Sequence, residues 1–302
     1  MTEPDSDRFF YIVNAPTFDA NSGGTIFLHE LCHALNGFGE TAYLWPMAPI
    51  FRQGIKSRVA TFLKPPKYQR DQTLNTPMAD KSMLGSDRAI MVYPEIVPDN
   101  PAGAKNIVRW LLYTPGDQHP YSFTDNEMFF RVFEKADMPE LTGGADDLFL
   151  WKVNRSYRNE NRPGRKGCCY ITRKGHKKPR IPETEASDAI DIEGLSHEEI
   201  NEVFNQCDVF YSYDEATMYS QFASICGCLS VIVPGEHRDR AEWARNHELG
   251  EFGVAYGQDP AELAHARSTR DDLIALLKRK EEAGLETVQN FIEKTQAHFK
   301  AR

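Results

Sequence analysis

The sequence predicts an α/β protein of two domains, each built on a mainly parallel sheet, and three observations predict it. Short runs of β-branched and aromatic residues alternate with helical patterns, as they do where parallel strands are joined by helical crossovers. That alternation occurs twice, once in each half of a 302-residue chain, which is long enough for two ordinary cores. The stretch 207–235, CDVFYSYDEATMYSQFASICGCLSVIVPG, holds a complete strand–helix–strand unit. Its first strand, 209–213, is aromatic and β-branched. Its second, 229–233, is almost continuously apolar, as strands covered on both faces are. Asp214, Glu215 and Thr217 fall where the first strand ends, and open α/β sheets gather ligands beyond the carboxyl ends of their strands.

The other elements follow in order. Residues 9–15, FFYIVNA, form an apolar strand, followed by a small-residue loop at Ser22, Gly23 and Gly24. A helix runs over about 25–36 until Gly37 and Gly39 stop it, and 41–45 returns as a strand. The stretch 50–85, with Pro65, Pro66 and Pro77, gives no clear element. Residues 89–93 form a strand ending at Pro94 and Glu95. Residues 100–114, NPAGAKNIVRWLLYT, read as a loop and an amphipathic helix whose apolar face carries Ile107, Val108, Trp110, Leu111 and Leu112. The interdomain connection is expected within 116–165, giving domains 1–150 and 151–302. The second half restarts with a strand at 167–173 and a short one at 190–192. Ser196, with Glu199 three residues on, is a capping box that opens a helix. After the 207–235 unit come a strand at 253–256, a charged helix over about 270–284 and a terminal helix reaching Phe299. Val288, Phe291 and Ile292 anchor that last helix either on the first domain or at an interface.

Composition excludes several classes. A formal net charge of −9 argues against sequence-independent nucleic-acid binding, and 41% hydrophobic residues against disorder. No apolar run approaches the ~20 residues of a membrane span. Residues 1–8 are too polar for a secretory signal, so the cytoplasm is expected. The six cysteines read as free thiols. Cys168 and Cys169 point to opposite faces of a strand, and they and the pair Cys226 and Cys228 read as small core residues rather than zinc ligands. One basic segment, 155–180, departs from the acidic average and offers either an anion site or a solvated linker.

His29-Glu30-Leu31-Cys32-His33 matches the H-E-x-x-H zinc-peptidase pattern. It lies on the first crossover helix with no further histidine at the expected spacing, so a coincidence of a short motif is the favoured reading. A zinc metallopeptidase using His29, Glu30 and His33 stands as an alternative.

Two α/β halves, a Gly-Gly loop after the first strand, an Arg-Lys pair ending the first strand of the second half, and an acidic strand end followed by a helix closing in Ile225-Cys226-Gly227 resemble the GT-B glycosyltransferases. The segments NPAGAKNIVRWLLYTPGD and DVFYSYDEATMYSQFASICGC are similar to ones in bacterial polysaccharide glycosyltransferases. The resemblance spans about 9–299. It implies two Rossmann-like domains facing across a cleft, with a nucleotide-sugar donor held mainly by the second and a glycan or lipid-linked acceptor by the first. It also implies a role in surface polysaccharide biosynthesis, with peripheral membrane association, no nucleic-acid partner, no cofactor and no metal. Arg173 and Lys174 would neutralise the departing diphosphate. Asp214 matches the first acid of the family's paired-acid motif, but Gln221 and Phe222 stand where the second acid belongs. That departure leaves a non-catalytic sugar-nucleotide or glycan-binding module as a second alternative. Thr217 offers a hydroxyl to phosphate or caps a helix, and Tyr211 and Tyr213 line the nucleotide pocket or fill the core. Gly23 and Gly24 let a ligand approach the backbone. Glu95 is the candidate general base, with Asp19 competing for that role.

Overall fold

The computed structural model describes residues 8–47, 67–117, 120–150, 152, 154–235, 237–247 and 249–302. Residues 1–7, which carry the expectation about a leader, and 48–66, which include the first part of the stretch without clear elements, lie outside the described residues. The chain divides into two compact units, Met1–Trp151 with Glu282–Arg302, and Lys152–Glu281.

In the first unit, strands β1 (Phe10–Ala15), β2 (Ala42–Pro46), β3 (Ala89–Pro94), β4 (Asn106–Leu111), β5 (Met128–Arg131) and β6 (Asp146–Asp147) make one sheet. All pair in parallel, in the order β2-β1-β3-β4-β5-β6. Side chains alternate between two covered faces, as the strand period requires. Tyr11, Val13, Ile90, Val92, Val108 and Trp110 join one core, while Ile12, Met91, Tyr93 and Ile107 join the other. Helix α1 (Gly23–Gly37) crosses from β1 to β2 and buries Leu28, Leu31 and Leu35 in the first core. Val288, Phe291, Ile292 and Phe299 from the end of the chain enter the same core, where Phe291 meets Phe130 edge-on at 4.7 Å. Each such burial contributes roughly 1.5–3 kcal/mol.

Two expectations are corrected. Residues 106–111 form the central strand β4, not a helix. Every residue of it is buried, and its one charged side chain is satisfied inside the protein. The Arg109 guanidinium meets Glu127 with two bonds of 2.8 Å, and donates to the carbonyls of Val97 at 2.5 Å and Asp99 at 2.8 Å. At the carboxyl end of the chain there is a single helix rather than two, because the helix continues through Gly284. A helical glycine costs only ~1 kcal/mol, and the neighbouring turn is fixed by Thr287, whose hydroxyl lies 2.8 Å from the Gly284 carbonyl and 3.0 Å from the Phe149 carbonyl.

The second unit has a five-stranded parallel sheet of β7 (Cys168–Ile171), β8 (Ile190–Asp191), β9 (Val209–Ser212), β10 (Leu229–Ile232) and β11 (Val254–Tyr256), ordered β11-β10-β9-β7-β8. The short helix α2 (Pro139–Thr142) belongs to the first unit; in the second, after the short helix α3 (Pro182–Glu185), α4 (His197–Gln206) begins with the predicted capping box. The Ser196 amide donates to Glu199 Oε2 at 2.8 Å, and the Glu199 amide donates back to Ser196 Oγ at 3.3 Å. Helix α4 and α5 (Tyr219–Ile225) cover Cys169, Ile171 and Phe210 on one face of the sheet. On the other, Tyr211, Tyr213, Val231 and Val233 pack with Ala266 of α7 (Pro260–Ser268), which follows α6 (Arg240–Asn246) and precedes α8 (Arg270–Lys300). Cys169 and Cys168 belong to opposite faces. Burial pushes the Cys226 thiol up to about 12, leaving it a packing residue.

Both sheets therefore reverse their direction of growth once. The reversal falls between β1 and β3 in the first unit and between β7 and β9 in the second. Such switch points leave a crevice beyond the carboxyl ends of the two strands, because the crossovers on either side leave in opposite directions.

Candidate functional site

At the switch point of the second unit the chain leaves β7 through Thr172 and enters a tight turn, Arg173–Gly175. Arg173 holds a left-handed φ of 39°, uncommon for a side chain of this size. Gly175 explains the tightness: a Cβ there would stand 2.1 Å from the Tyr213 carbonyl oxygen. Only glycine lets this turn lie against the end of β9. The Arg173 amide donates to Glu193 Oε2 at 3.2 Å, and its guanidinium lies 5.8 Å from the centre of the Tyr219 ring. Arg173 and Lys174 are both exposed. Thr172 Oγ1 is buried beside them with no hydrogen-bond partner among the described residues, a group that sequence reasoning passed over.

The rest of the basic segment is mostly spent on the fold. Arg162 pairs with Glu160 and Glu202, each at 2.5 Å, and Arg165 donates to the carbonyls of Phe204 and Cys226, both at 2.6 Å. The Arg180 guanidinium lies 4.9 Å from the ring centres of both Tyr170 and Tyr213. Arg173 and Lys174 are exposed cations on the turn at the mouth of the sheet, with Lys177 exposed just beyond it.

Asp214 is buried at the end of β9, where Oδ1 accepts the Ala216 amide at 3.0 Å and the backbone carbonyl accepts the Ser212 hydroxyl at 2.7 Å. Thr217 is also buried, and Oγ1 accepts the Tyr219 amide at 3.3 Å from the position before the N-cap residue Met218. The helix that follows has only seven residues, so its dipole offers little to an anion. Tyr213, a candidate pocket residue from sequence, lies in the core at 1% exposure. Its hydroxyl accepts the Ile181 amide at 2.9 Å and meets Thr184 Oγ1 at 2.6 Å, so it fixes the earlier segment 181–184 instead of facing a ligand. Where the paired-acid motif would put its second carboxylate, Gln221 Nε2 donates to the Leu249 carbonyl at 3.3 Å and Phe222 stacks on Tyr157 at 4.2 Å.

Glu215 gathers the neighbouring strand ends. Its carboxylate accepts from Lys178 Nζ at 2.8 Å and meets His237 Nδ1 at 2.6 Å and the Tyr256 hydroxyl at 3.2 Å. Lys178 also donates to the Val233 carbonyl at 2.7 Å, and a Cβ on Gly235 would stand 2.2 Å from Lys178 Cε. Loops after β7, β9 and β10 and the last residue of β11 are joined through this one carboxylate. The sequence marks Lys178 only as part of the basic segment 155–180, and His237 not at all, since their partners are 37 and 22 residues away.

In the first unit Glu95 follows β3 and is 6% exposed. Its Oε2 accepts the Leu112 amide at 2.9 Å, and burial raises its carboxyl to about 6. A Cβ on Gly24 would lie 3.6 Å from Leu112 Cδ1, so the start of α1 reaches the end of β4 beside Glu95. Gly23 is exposed, with nothing within 4 Å of such a Cβ. Ser22 makes no side-chain cap to α1. Asp19 is exposed and its Oδ1 accepts the Asn21 amide at 2.9 Å, shaping the loop before the helix.

The H-E-x-x-H residues do not assemble into a ligand set. His29 is fully buried against Phe18 and Tyr68, with Nε2 3.0 Å from the Pro16 carbonyl, and burial lowers its basicity. His33 Nδ1 accepts the Asn75 amide at 2.9 Å. Among the described residues no group of three His, Cys, Asp or Glu side chains is placed to hold a metal ion.

No protein-family model and no curated protein matches the chain. Over 97% of its length it is similar to T4 phage BGT in complex with its UDP-glucose substrate, with 10% identity, a TM-score of 0.38 and 96% of that chain covered. It is also similar to the spinosyn forosaminyltransferase SpnP, at 16% identity and a TM-score of 0.34, with 96% of each chain covered. A second structure of T4 phage beta-glucosyltransferase gives 10% identity and a TM-score of 0.35 over 97% of this chain and 96% of that one. At these TM-scores the likeness is too loose to place a residue, and the site rests on the chain's own geometry.

Proposed function

We propose that this chain is a glycosyltransferase that moves a sugar from a nucleotide-sugar donor to a glycan or lipid-linked acceptor. The observation that carries the reading is the Arg173–Gly175 turn, pressed against the end of β9 at a topological switch point, with two exposed cations and an unpartnered Thr172 hydroxyl beside it. As the anomeric carbon–oxygen bond breaks, charge builds on the departing diphosphate. Arg173 and Lys174 offset that charge without requiring a divalent ion. In the first unit Glu95 takes the proton of the attacking acceptor hydroxyl, its raised carboxyl being suited to exchange near neutral pH. Asp19 shapes the loop leading to Gly23 and Gly24, while Asp214, Thr217 and Tyr213 set the backbone around the donor.

A cytoplasmic role in surface polysaccharide assembly, with peripheral membrane association, fits this reading. Among the described residues no helix is long and apolar enough to cross a membrane. The test is a thermal-shift screen against UDP-, GDP-, CMP- and TDP-sugars, followed by detection of released nucleoside diphosphate with each ligand that stabilises the protein. Stabilisation with turnover supports the proposal. Stabilisation without turnover under any acceptor supports a binding module instead, and no stabilisation by any donor contradicts both.

A further inference from the structure

The second unit carries a second concavity, at the opposite ends of its strands from the switch point. A cavity of about 520 Å³ opens beside the first residues of β9 and β10, in the size range of small-molecule sites, ~300–1,000 Å³. Arg165, Arg267 and Arg270 line it, and Asp208 is its one lining acid. Arg165 spends its donors on neutral oxygens: the two carbonyls described above, and the side chains of Asn159 at 2.9 Å and Asn205 at 3.2 Å. Its positive charge therefore meets no carboxylate in these bonds. Arg267 has no ion pair among the described residues, and Arg270 Nε stands 3.9 Å from Asp271 Oδ1, too far for a hydrogen bond. Arg270 also opens the 31-residue helix α8, whose first turn carries Asp271 and Asp272, so the positive charge at the cavity comes from the guanidinium groups and not from the helix end.

The wall between these arginines is kept bare. Gly227 and Gly253 both line the cavity and both hold left-handed φ values, 85° and 70°. A Cβ on Gly253 would stand 2.7 Å from both Ser224 Oγ and Leu273 Cδ2, and one on Gly227 would stand 2.9 Å from Asn159 Nδ2. Backbone without side chains beside guanidinium groups suits a compact, highly charged ligand.

We propose that this cavity binds a small molecule bearing adjacent phosphoryl groups, at a site separate from the switch-point crevice. Two guanidinium groups with free donors can each grip a phosphoryl oxygen pair, and the half-buried charge of Arg165 adds to the potential. The proposal stands whether or not the chain transfers sugars.

The test uses inorganic pyrophosphate and calorimetric titration of the full chain at low ionic strength. An Arg173→Ala/Lys174→Ala protein serves as background, so that binding at the crevice is removed. One pyrophosphate per chain is expected to bind this background, at least tenfold more weakly once Arg267→Ala/Arg270→Ala is added. The lysine pair Arg267→Lys/Arg270→Lys should restore part of the affinity, and circular-dichroism melting should be unchanged throughout. No binding to the background protein, or binding that ignores the Arg267 and Arg270 changes, overturns the proposal.

Discussion

Replacing Glu95 by Gln separates the energetic role of this carboxyl from its chemical one. Burial moves the group from an ordinary 4.5 to about 6, against the pull of backbone amides from Leu112 and Tyr113. Below about pH 4.5 the group is protonated in folded and unfolded chains alike. As pH rises toward 6 the unfolded chain releases the proton while the folded one keeps it, so stability falls. Above about 6 the loss is complete. With ~1.4 kcal/mol for each pH unit of displacement, ionised Glu95 costs the fold about 2 kcal/mol at neutral pH. The Gln amide oxygen can still accept the Leu112 N–H bond, so the variant keeps the local contact and loses the titration. Urea unfolding near pH 4 and near pH 7.5 should show the variant gaining about 2 kcal/mol on the parent between the two. A difference between the proteins that does not change with pH would refute the buried-carboxyl argument. As general base, Glu95 also predicts a transfer rate that climbs through about pH 6 and falls ~10²–10⁴-fold in the Gln variant.

Three further outcomes follow from the packing. Gly175→Ala should cost roughly 1–3 kcal/mol by overpacking against the Tyr213 carbonyl, and should raise the donor KM by displacing Arg173; denaturation and steady-state kinetics read the two effects. Arg109→Met leaves the Glu127 carboxylate buried without its partner and should destabilise the first unit by about 3–5 kcal/mol, measured by urea unfolding. Ser196→Ala removes the capping box of α4 and should cost about 1 kcal/mol, with any catalytic rate unchanged.

Much of this architecture was legible because it is written in local patterns. The unit running through β9, α5 and β10 announced itself by period and punctuation, and Ser196 with Glu199 marked a helix start three residues apart. Strand β4 misled because all six of its residues are buried, so it shows no alternation, and Arg109 mimicked the polar side of a helix while its partner lay 18 residues on. Gly284 read as a helix stop, yet tertiary packing on both sides carries the helix through it. In the site, the cations of the Arg173 turn could be picked out by their place after a strand. The reason for the turn could not, since Gly175 is fixed by a carbonyl at Tyr213 that only the folded sheet brings near. The Lys178, Glu215 and His237 cluster was hidden for the same reason. Tyr213 has the composition of a pocket residue, and only its engaged hydroxyl shows that it belongs to the core.

The most direct test of the central claim is sugar transfer from the best-bound nucleotide-sugar donor, followed as release of nucleoside diphosphate, in the parent protein and in Arg173→Ala/Lys174→Ala. If these two side chains carry the charge of the leaving diphosphate, kcat falls ~10²–10³-fold while thermal unfolding is unchanged. Transfer at the parent rate in the double variant would contradict the account.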